Sequence, residues 1–406
     1  MRQKIKFKGE LAMNKMEFSL AIFASMIMKN GKKIVDNDLY TVFEDNDGNR
    51  YISGKDHGFH MLFRKSDGFT AKWGKTFAED PAFNPYGNEI ADIEITKRCS
   101  GIRDVNGVNT PCPWCYKSNC SKGDYMDFET FKKLFDILNE AKTMTQIAFG
   151  TDASLDEKAN PDYWKIFDYC RNNGVTPNVT VADISEETAK KMAQTFGACA
   201  VSYYPLINKE RCYDSVEKII RNAKAIGKKM AVNIHCLLAD ETYAGVMELL
   251  DDVKKDKRLE GLNAIVFLSL KQKGRGVHFN KLEYEKFKNI IARCMKENIP
   301  YGMDSCSANK FIKTLDELVD EKKKKEIVNF IEPCEATQFS SFFDCYGNYY
   351  PCSFMEREGE WKTGIALKDI QNIKDIWYEK RVVDWRKESM KNINCLGCNK
   401  CHHYDV

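Results

Sequence analysis

Ile95-Thr96-Lys97-Arg98-Cys99 and Cys112-Pro113-Trp114-Cys115-Tyr116 stand twelve residues apart, and the pattern around them sets the fold. Ile93–Thr96 reads as a strand, and Cys99, Cys112 and Cys115 fall in the loop after it. Strands and helices then alternate. Phe128–Ala141 is expected as a helix behind an Asp127 N-cap, and Gln146–Phe149 as a strand. The helix Asp162–Asn173 follows, with Pro161 before it and Gly174 as its stop. Val175–Val181 leads to Glu186–Phe196, Ala198–Tyr203 to Ser215–Ala225, Lys229–His235 to Thr242–Lys255, and Ala264–Leu270 to Leu282–Lys296. Six β–α units in a row imply a parallel sheet covered by helices. Six are too few for the eight-stranded barrel, so an open or partial barrel is expected, with Pro300–Ser305 as a seventh strand. Such folds bind ligands at the C-terminal ends of their strands. The three cysteines lie in the first of those loops.

Outward from this core, residues 1–88 read as a β-rich unit. Leu39–Phe43 and Tyr51–Ser53 flank the turn-forming Glu44–Arg50, and Phe59, Met61 and Phe63 alternate as in another strand. Met16–Met28 is a short apolar run that carries Glu17, lacks a signal-peptide cleavage site and is too short to span a bilayer. It is expected as a buried strand or helix of a cytoplasmic protein. Gly74-Lys75-Thr76 has the wrong spacing from Gly68 for a phosphate loop. The net charge of +3 on 406 residues argues against nucleic acid or an acidic membrane as partner, and the Lys-rich Glu321–Glu326 reads as a solvated helix face.

The 16 cysteines carry more information than the charge. A long, Lys/Glu-rich chain with so many thiols points to metal rather than to disulfides. Cys170, Cys199, Cys212, Cys236 and Cys294 are scattered singly in apolar settings and read as small buried hydrophobes. The others gather near the two ends of the β–α pattern. A CxxC pair with one distant cysteine holds three irons of a cubane cluster and leaves the fourth open. A closed zinc site would want a fourth ligand, for which Cys120 stands nearby.

An Ile-Thr-x-x-Cys strand end, a CxxCY and six βα units resemble the radical S-adenosylmethionine (SAM) enzymes, over about residues 91–305. The family usually has three residues between its first two cysteines, where this chain has twelve; Cys120 is the substitute ligand to watch. The resemblance implies a [4Fe–4S] cluster on Cys99, Cys112 and Cys115, SAM on its open iron, and reductive cleavage of SAM to a 5′-deoxyadenosyl radical that abstracts hydrogen from substrate. Phe149-Gly150-Thr151-Asp152 stands where the family carries a Gly-Gly-Glu-Pro type motif, so Gly150 and Asp152 would receive the SAM ammonium. Tyr116, Asn178, Thr180 and Ser202 match other SAM-contacting positions. An electron donor such as flavodoxin or ferredoxin is implied as partner.

The C-terminal third carries a second pattern: Cys334, Gly347 and Cys352 in C-x12-G-x4-C spacing, a Tyr346-Gly347-Asn348 hairpin turn, then Cys395-x2-Cys398-x2-Cys401. This is similar to the SPASM and twitch auxiliary-cluster extensions of the same superfamily. The twitch-like case implies a second [4Fe–4S] cluster on Cys334, Cys352, Cys395 and Cys398, with Cys401 as alternate ligand. A structural zinc knot of the same cysteines, using His402 or His403, is the rival. Cys306 ends the seventh strand, and three readings stand for it: a catalytic hydrogen-donating thiol, a ligand, or a buried cysteine. His235 closes the fifth strand, facing substrate or packed in the core. Lys271, Lys273 and Arg275 form a positive rim for an anion or are solvated loop charges.

The expected architecture is therefore an α/β protein, a partial (β/α)6 TIM-like barrel over 89–305, with a β-rich N-terminal unit over 1–88 and a small Cys-rich C-terminal domain over 306–406. The expected substrate is a peptide or protein, because auxiliary-cluster relatives commonly act on these. The alternatives are a small molecule (sugar, nucleotide or cofactor precursor) and a non-enzymatic zinc-binding protein. A winged helix at the N-terminus would favour the peptide.

Overall fold

The computed structural model describes residues 15–391 apart from 67, 78, 329, 330 and 332, together with residues 401, 403 and 404. Cys395, Cys398 and His402, named above as ligand candidates, lie outside the described residues. The chain begins with α1 (Lys15–Asn30) and five short strands, β1 (Lys32–Asp36), β2 (Tyr40–Glu44), β3 (Arg50–Gly54), β4 (His60–Arg64) and β5 (Phe69–Trp73). The strands form one antiparallel sheet in sequence order. Alternation along each strand gives the sheet two apolar faces. On one face Tyr51, Leu62, Ala71 and Trp73 pack under Leu20, Ala24 and Ile27 of α1. On the other, Val42, Ile52, Met61 and Phe63 pack against Ala141 and Phe339 of the main body.

The apolar run at 16–28 is thus a helix, and it is buried on one side only. Phe18, Ile22, Met26 and Met28 remain exposed because the five-residue strands offer room for a single helical stripe. Among the described residues no helix is long and apolar enough to cross a membrane. At Gly74 and Lys75 the loop is closed by its own chain. Glu79 accepts the Lys75 N–H through Oε2 at 2.8 Å and the Gly74 N–H through its carbonyl at 2.9 Å.

The main body opens with β6 (Ile90–Glu94), followed by a two-residue hairpin, β7 (Ile102–Arg103) and β8 (Asn109–Thr110). Then come α2 (Phe128–Leu138), β9 (Gln146–Gly150), α3 (Tyr163–Asn172), β10 (Thr176–Val181), α4 (Glu186–Thr195), β11 (Ala198–Tyr203), α5 (Lys209–Ala225), β12 (Ala231–Leu238), α6 (Tyr243–Asp252), β13 (Ala264–Ser269), α7 (Tyr284–Glu297) and β14 (Tyr301–Met303). All six β–α units and the seventh strand are present, and Asp127 caps α2 by accepting the Thr130 N–H at 2.8 Å. The seven strands run parallel, and the sheet stays open.

After α8 (Ala308–Leu318) and α9 (Glu321–Val328), the hairpin β15 (Ser340–Phe343) and β16 (Tyr349–Tyr350) extends the same sheet. β15 lies parallel to β6, with Phe343 opposite Ile93, so the order is β14-β13-β12-β11-β10-β9-β6-β15-β16. The cysteine-rich third is therefore hydrogen-bonded to the first barrel strand. Two helices, α10 (Ile373–Trp377) and α11 (Lys380–Lys391), close the described chain before 401.

Arg50 ties the N-terminal sheet to the barrel. Its buried guanidinium pairs with Glu44 through Nε at 2.6 Å and donates to the carbonyls of Met144 at 3.0 Å and Gly174 at 3.2 Å. Removing it strands a buried carbonyl and frees Glu44. Arg50→Met is expected to lower stability by about 3 kcal/mol, read as an earlier chemical-denaturation midpoint. An unchanged midpoint would mean that the apolar contacts and the buried Lys72–Glu89 pair hold the two units without Arg50.

Candidate active site

The strand ends and the C-terminal hairpin enclose a cavity of about 640 Å³. Its wall includes Cys99, Cys112 and Cys115 and also Cys306, Cys334, Cys352 and Cys401. Two thiol groups far apart in sequence thus face one space.

The twelve-residue spacer is absorbed locally. Residues 101–111 fold back as the β7–β8 hairpin, turned at Asp104–Gly107, and return the chain to Cys112 beside its starting point. Gly101 sits at φ +84°, and a Cβ there would meet the Thr110 carbonyl. The Cys112–Cys115 loop is a tight turn, with the Cys115 N–H 3.4 Å from the Cys112 carbonyl. Each sulfur feels its neighbours. Burial, reinforced by Cys115, pushes Cys112 up to about 11 and raises Cys99 as well. Bare, Cys99 and Cys112 stay protonated; a bound cation would be needed to hold them as thiolates. Cys120 lies off the cavity wall: it is exposed and donates its S–H to the Lys122 carbonyl at 3.1 Å, while its carbonyl accepts the Cys99 N–H at 2.7 Å.

The loop after β13 braces this site. Arg275 donates from Nε to the Cys112 carbonyl at 2.7 Å and from Nη1 to the Asn119 carbonyl at 3.2 Å, while its own N–H reaches the Cys115 carbonyl at 3.0 Å. Gly274, at φ +57°, lets the loops touch; a Cβ would stand 2.6 Å from the Cys115 carbonyl oxygen and strike that of Tyr116. Lys273 donates to the carbonyls of Phe354 and Glu356, both at 2.7 Å. Lys271 pairs with Asp304, and its side chain is 3% exposed. The positive rim and the solvated-charge reading are both corrected. These cations point inward because buried backbone carbonyls and a carboxylate need donors.

The remaining sequence-derived residues divide. Tyr116, Gly150, Asp152, Thr180, Ser202 and His235 all line the cavity. Tyr116 stacks on Phe354 with centroids 4.4 Å apart. Asp152 accepts the Tyr163 hydroxyl at 2.9 Å on Oδ1 and both the Ser154 hydroxyl (2.9 Å) and N–H (3.1 Å) on Oδ2. Its desolvation outweighs those donors and raises its pKa. Burial pushes His235 down to about 4, so its imidazole is neutral. Asn178 is elsewhere. It lies on β10 opposite Ala198, the first residue of β11, where its amide donates to Gln146 at 2.8 Å and accepts the Ala198 N–H at 2.8 Å. Thr180, two residues on, is the one that reaches the cavity.

Sequence reasoning missed several residues. Asp92 and Glu94 alternate with Ile93 and Ile95 on β6, a period-two signal that places both acids on the cavity side. Burial pushes Asp92 up to about 6. Glu94 joins a buried charge network: Lys117 lies 3.4 Å from Glu94 and also pairs with Glu356, which Lys97 reaches at 3.3 Å. Tyr204 lies beside Cys112 and Ser202 and stacks on Trp114 at 5.2 Å. Nothing local in the sequence singles it out.

Cys345 is buried beside Lys97 and Glu94 and is not part of the cavity wall. Among the described residues, no three His, Cys, Asp or Glu side chains stand close enough for one metal ion. The first set nevertheless suits a cubane: its donors are thiols only, they line open space, and the loop after β13 braces the segment that carries them.

Gly274→Ala is expected to displace the Cys112–Cys115 loop. After anaerobic reconstitution it should lose most of the iron and sulfide bound at this site. Gly227→Ala, strained in the same left-handed way at φ +66° but with open space around its Cβ, should not.

No protein-family model matches the chain, and no curated protein matches it in sequence. Three solved structures of Streptococcus suis SuiB are similar in fold. The structure bound to S-adenosylmethionine aligns at TM-score 0.56 and 12% identity, covering 90% of this chain and 93% of that one. The structure bound to precursor peptide SuiA aligns at 0.55 and 14%, covering 77% and 70%. A third aligns at 0.53 and 14%, covering 77% and 71%. This chain has the fold of SuiB: a partial barrel of parallel strands flanked by helices, as its sequence led one to expect.

Proposed function

We propose that the protein is a radical SAM enzyme, the observation that carries the reading being three thiols, Cys99, Cys112 and Cys115, converging on one cavity at the strand ends of a SuiB-like barrel. These three would hold a [4Fe–4S] cluster, which when bound supplies the electron that cleaves the sulfonium C–S bond of SAM. The chain's own residues do the rest. Asp152 takes Ser154 and the Asp156 N–H on Oδ2 and the Tyr163 hydroxyl on Oδ1, which leaves one Oδ1 lone pair for an ammonium. Thr180 and Ser202 offer hydroxyls on neighbouring strands. Tyr116, Phe354, Trp114 and Tyr204 cover the cavity with aromatic rings and keep water from a reactive radical. A second [4Fe–4S] cluster belongs with the thiols of the C-terminal unit, electrons come from a flavodoxin or ferredoxin, and the protein works in the cytoplasm.

For the substrate we favour a peptide or protein, supported by the likeness to SuiB, which has been seen with its precursor peptide. A small-molecule substrate is the second reading, and one observation favours it. Among the described residues, the N-terminal unit is a five-stranded antiparallel sheet under one helix, not a winged helix.

Reduced, reconstituted protein is expected to convert SAM to 5′-deoxyadenosine, and Cys112→Ala/Cys115→Ala to abolish this; a colourless zinc protein indifferent to SAM would sink the proposal. Asp152→Asn should weaken SAM binding about tenfold with iron content unchanged. Substrate class is read by offering deuterated peptide pools and deuterated sugar and nucleotide pools. Deuterium in 5′-deoxyadenosine from the peptides supports the first reading, and from the small molecules alone the second.

A further inference from the structure

Cys306 comes from the barrel, three residues beyond β14, yet it faces the thiols of the C-terminal unit. Cys306, Cys334, Cys352 and Cys401 line the same cavity. Their sulfurs are near enough to feel one another's charge: Cys352 and Cys401 bear on Cys306, and Cys306, Cys352 and Cys401 all bear on Cys334. Cys334 precedes β15 and Cys352 follows β16, so one hairpin presents both. Cys401 is held by the adjoining Tyr404, whose N–H lies 3.4 Å from its sulfur and whose hydroxyl donates to the Phe354 carbonyl at 3.1 Å.

Burial pushes the Cys306 thiol up to about 12, and the Lys271 ammonium beside it opposes that shift without outweighing it. A lysine has three N–H donors. Here Ser269 O accepts one at 3.3 Å and Asp304 Oδ2 accepts another, and the Cys306 sulfur lies near enough to feel the ammonium's charge. Asp304 is itself engaged through Oδ1 by the Ser307 hydroxyl. A buried cation is therefore aimed at a sulfur that joins three others. A cubane bound by four thiolates carries net negative charge, which such a cation offsets.

We propose that Cys306 is the fourth thiolate of the second cluster, with Cys334, Cys352 and Cys401, and that Lys271 offsets the charge of the assembled centre. This rests on the two-cluster reading above. It deepens that reading, because a cluster closed by four protein thiolates has no iron free to bind a substrate atom. It also assigns Cys306 to ligation rather than to hydrogen donation.

The test compares full-length wild type, Cys306→Ala, Cys395→Ala/Cys398→Ala and Lys271→Met after anaerobic reconstitution. Iron and sulfide content, Mössbauer and EPR spectra are the readouts, each with and without SAM. Wild type should carry about eight irons; only about four would defeat the two-cluster reading on the wild type alone, before any variant is compared. Given two clusters, Cys306→Ala should lose the second or convert it to a three-iron form. A retained SAM-perturbed signal from the first cluster certifies folding. Cys395→Ala/Cys398→Ala should keep both clusters. Lys271→Met should keep the irons but make the second cluster harder to reduce. A Cys306→Ala protein with both clusters and an unaltered second signal overturns the proposal, as does loss of the second cluster in Cys395→Ala/Cys398→Ala alone.

Discussion

Arg275 donates to the carbonyls of Cys112 and Asn119, and two residues earlier Lys273 donates to those of Phe354 and Glu356. Lys271, two residues before that, reaches Asp304 and Cys306. Successive cations in one loop thus hold the first cysteine loop, the C-terminal unit and the end of the seventh strand. Each donates into a buried setting where an unmade hydrogen bond costs about 1–3 kcal/mol. The loops that carry the thiols have little regular structure of their own, so their positions depend on this bracing. Gly274 allows it, since any side chain at that point would hold the two loops apart.

Charge is managed the same way elsewhere in the cavity. Glu94, Lys117, Glu356 and Lys97 link the first barrel strand, the cysteine loop and the segment after β16 in one buried network. Lys117 also sits over the Phe342 ring of β15, 4.4 Å from its centroid. Buried pairs of this kind add little net stability, because desolvation opposes the Coulomb gain. They do specify which surfaces meet. With β15 already paired to β6, the network fixes how the thiols of the C-terminal unit approach the barrel mouth.

The residues that sequence reasoning placed wrongly share a cause. Asn178 and Thr180 both point to the same side of β10, and only distance along the strand separates the one that reaches the cavity from the one that bridges Gln146 and Ala198. Lys273 and Arg275 read as a rim because their partners are carbonyls of segments up to 163 positions away. Backbone acceptors leave no mark in a sequence. Tyr204 is invisible for the same reason: its hydroxyl meets Cys112 only after the sheet has formed.

By itself the sequence determined the barrel and the first thiol set. Apolar periodicity reports burial residue by residue, capping residues and glycine stops mark helix ends, and a CxxC loop after the first strand must lie at the strand ends of a parallel sheet. Only the tertiary structure decided that the C-terminal hairpin continues the barrel sheet beside β6, and that Cys306 stands with Cys334, Cys352 and Cys401. It also decided that a twelve-residue spacer leaves Cys99 in place. Those outcomes depend on strand pairing, on a hairpin's return and on charges buried between distant segments. Such energies are set by what meets in space, and no local pattern of residues encodes them.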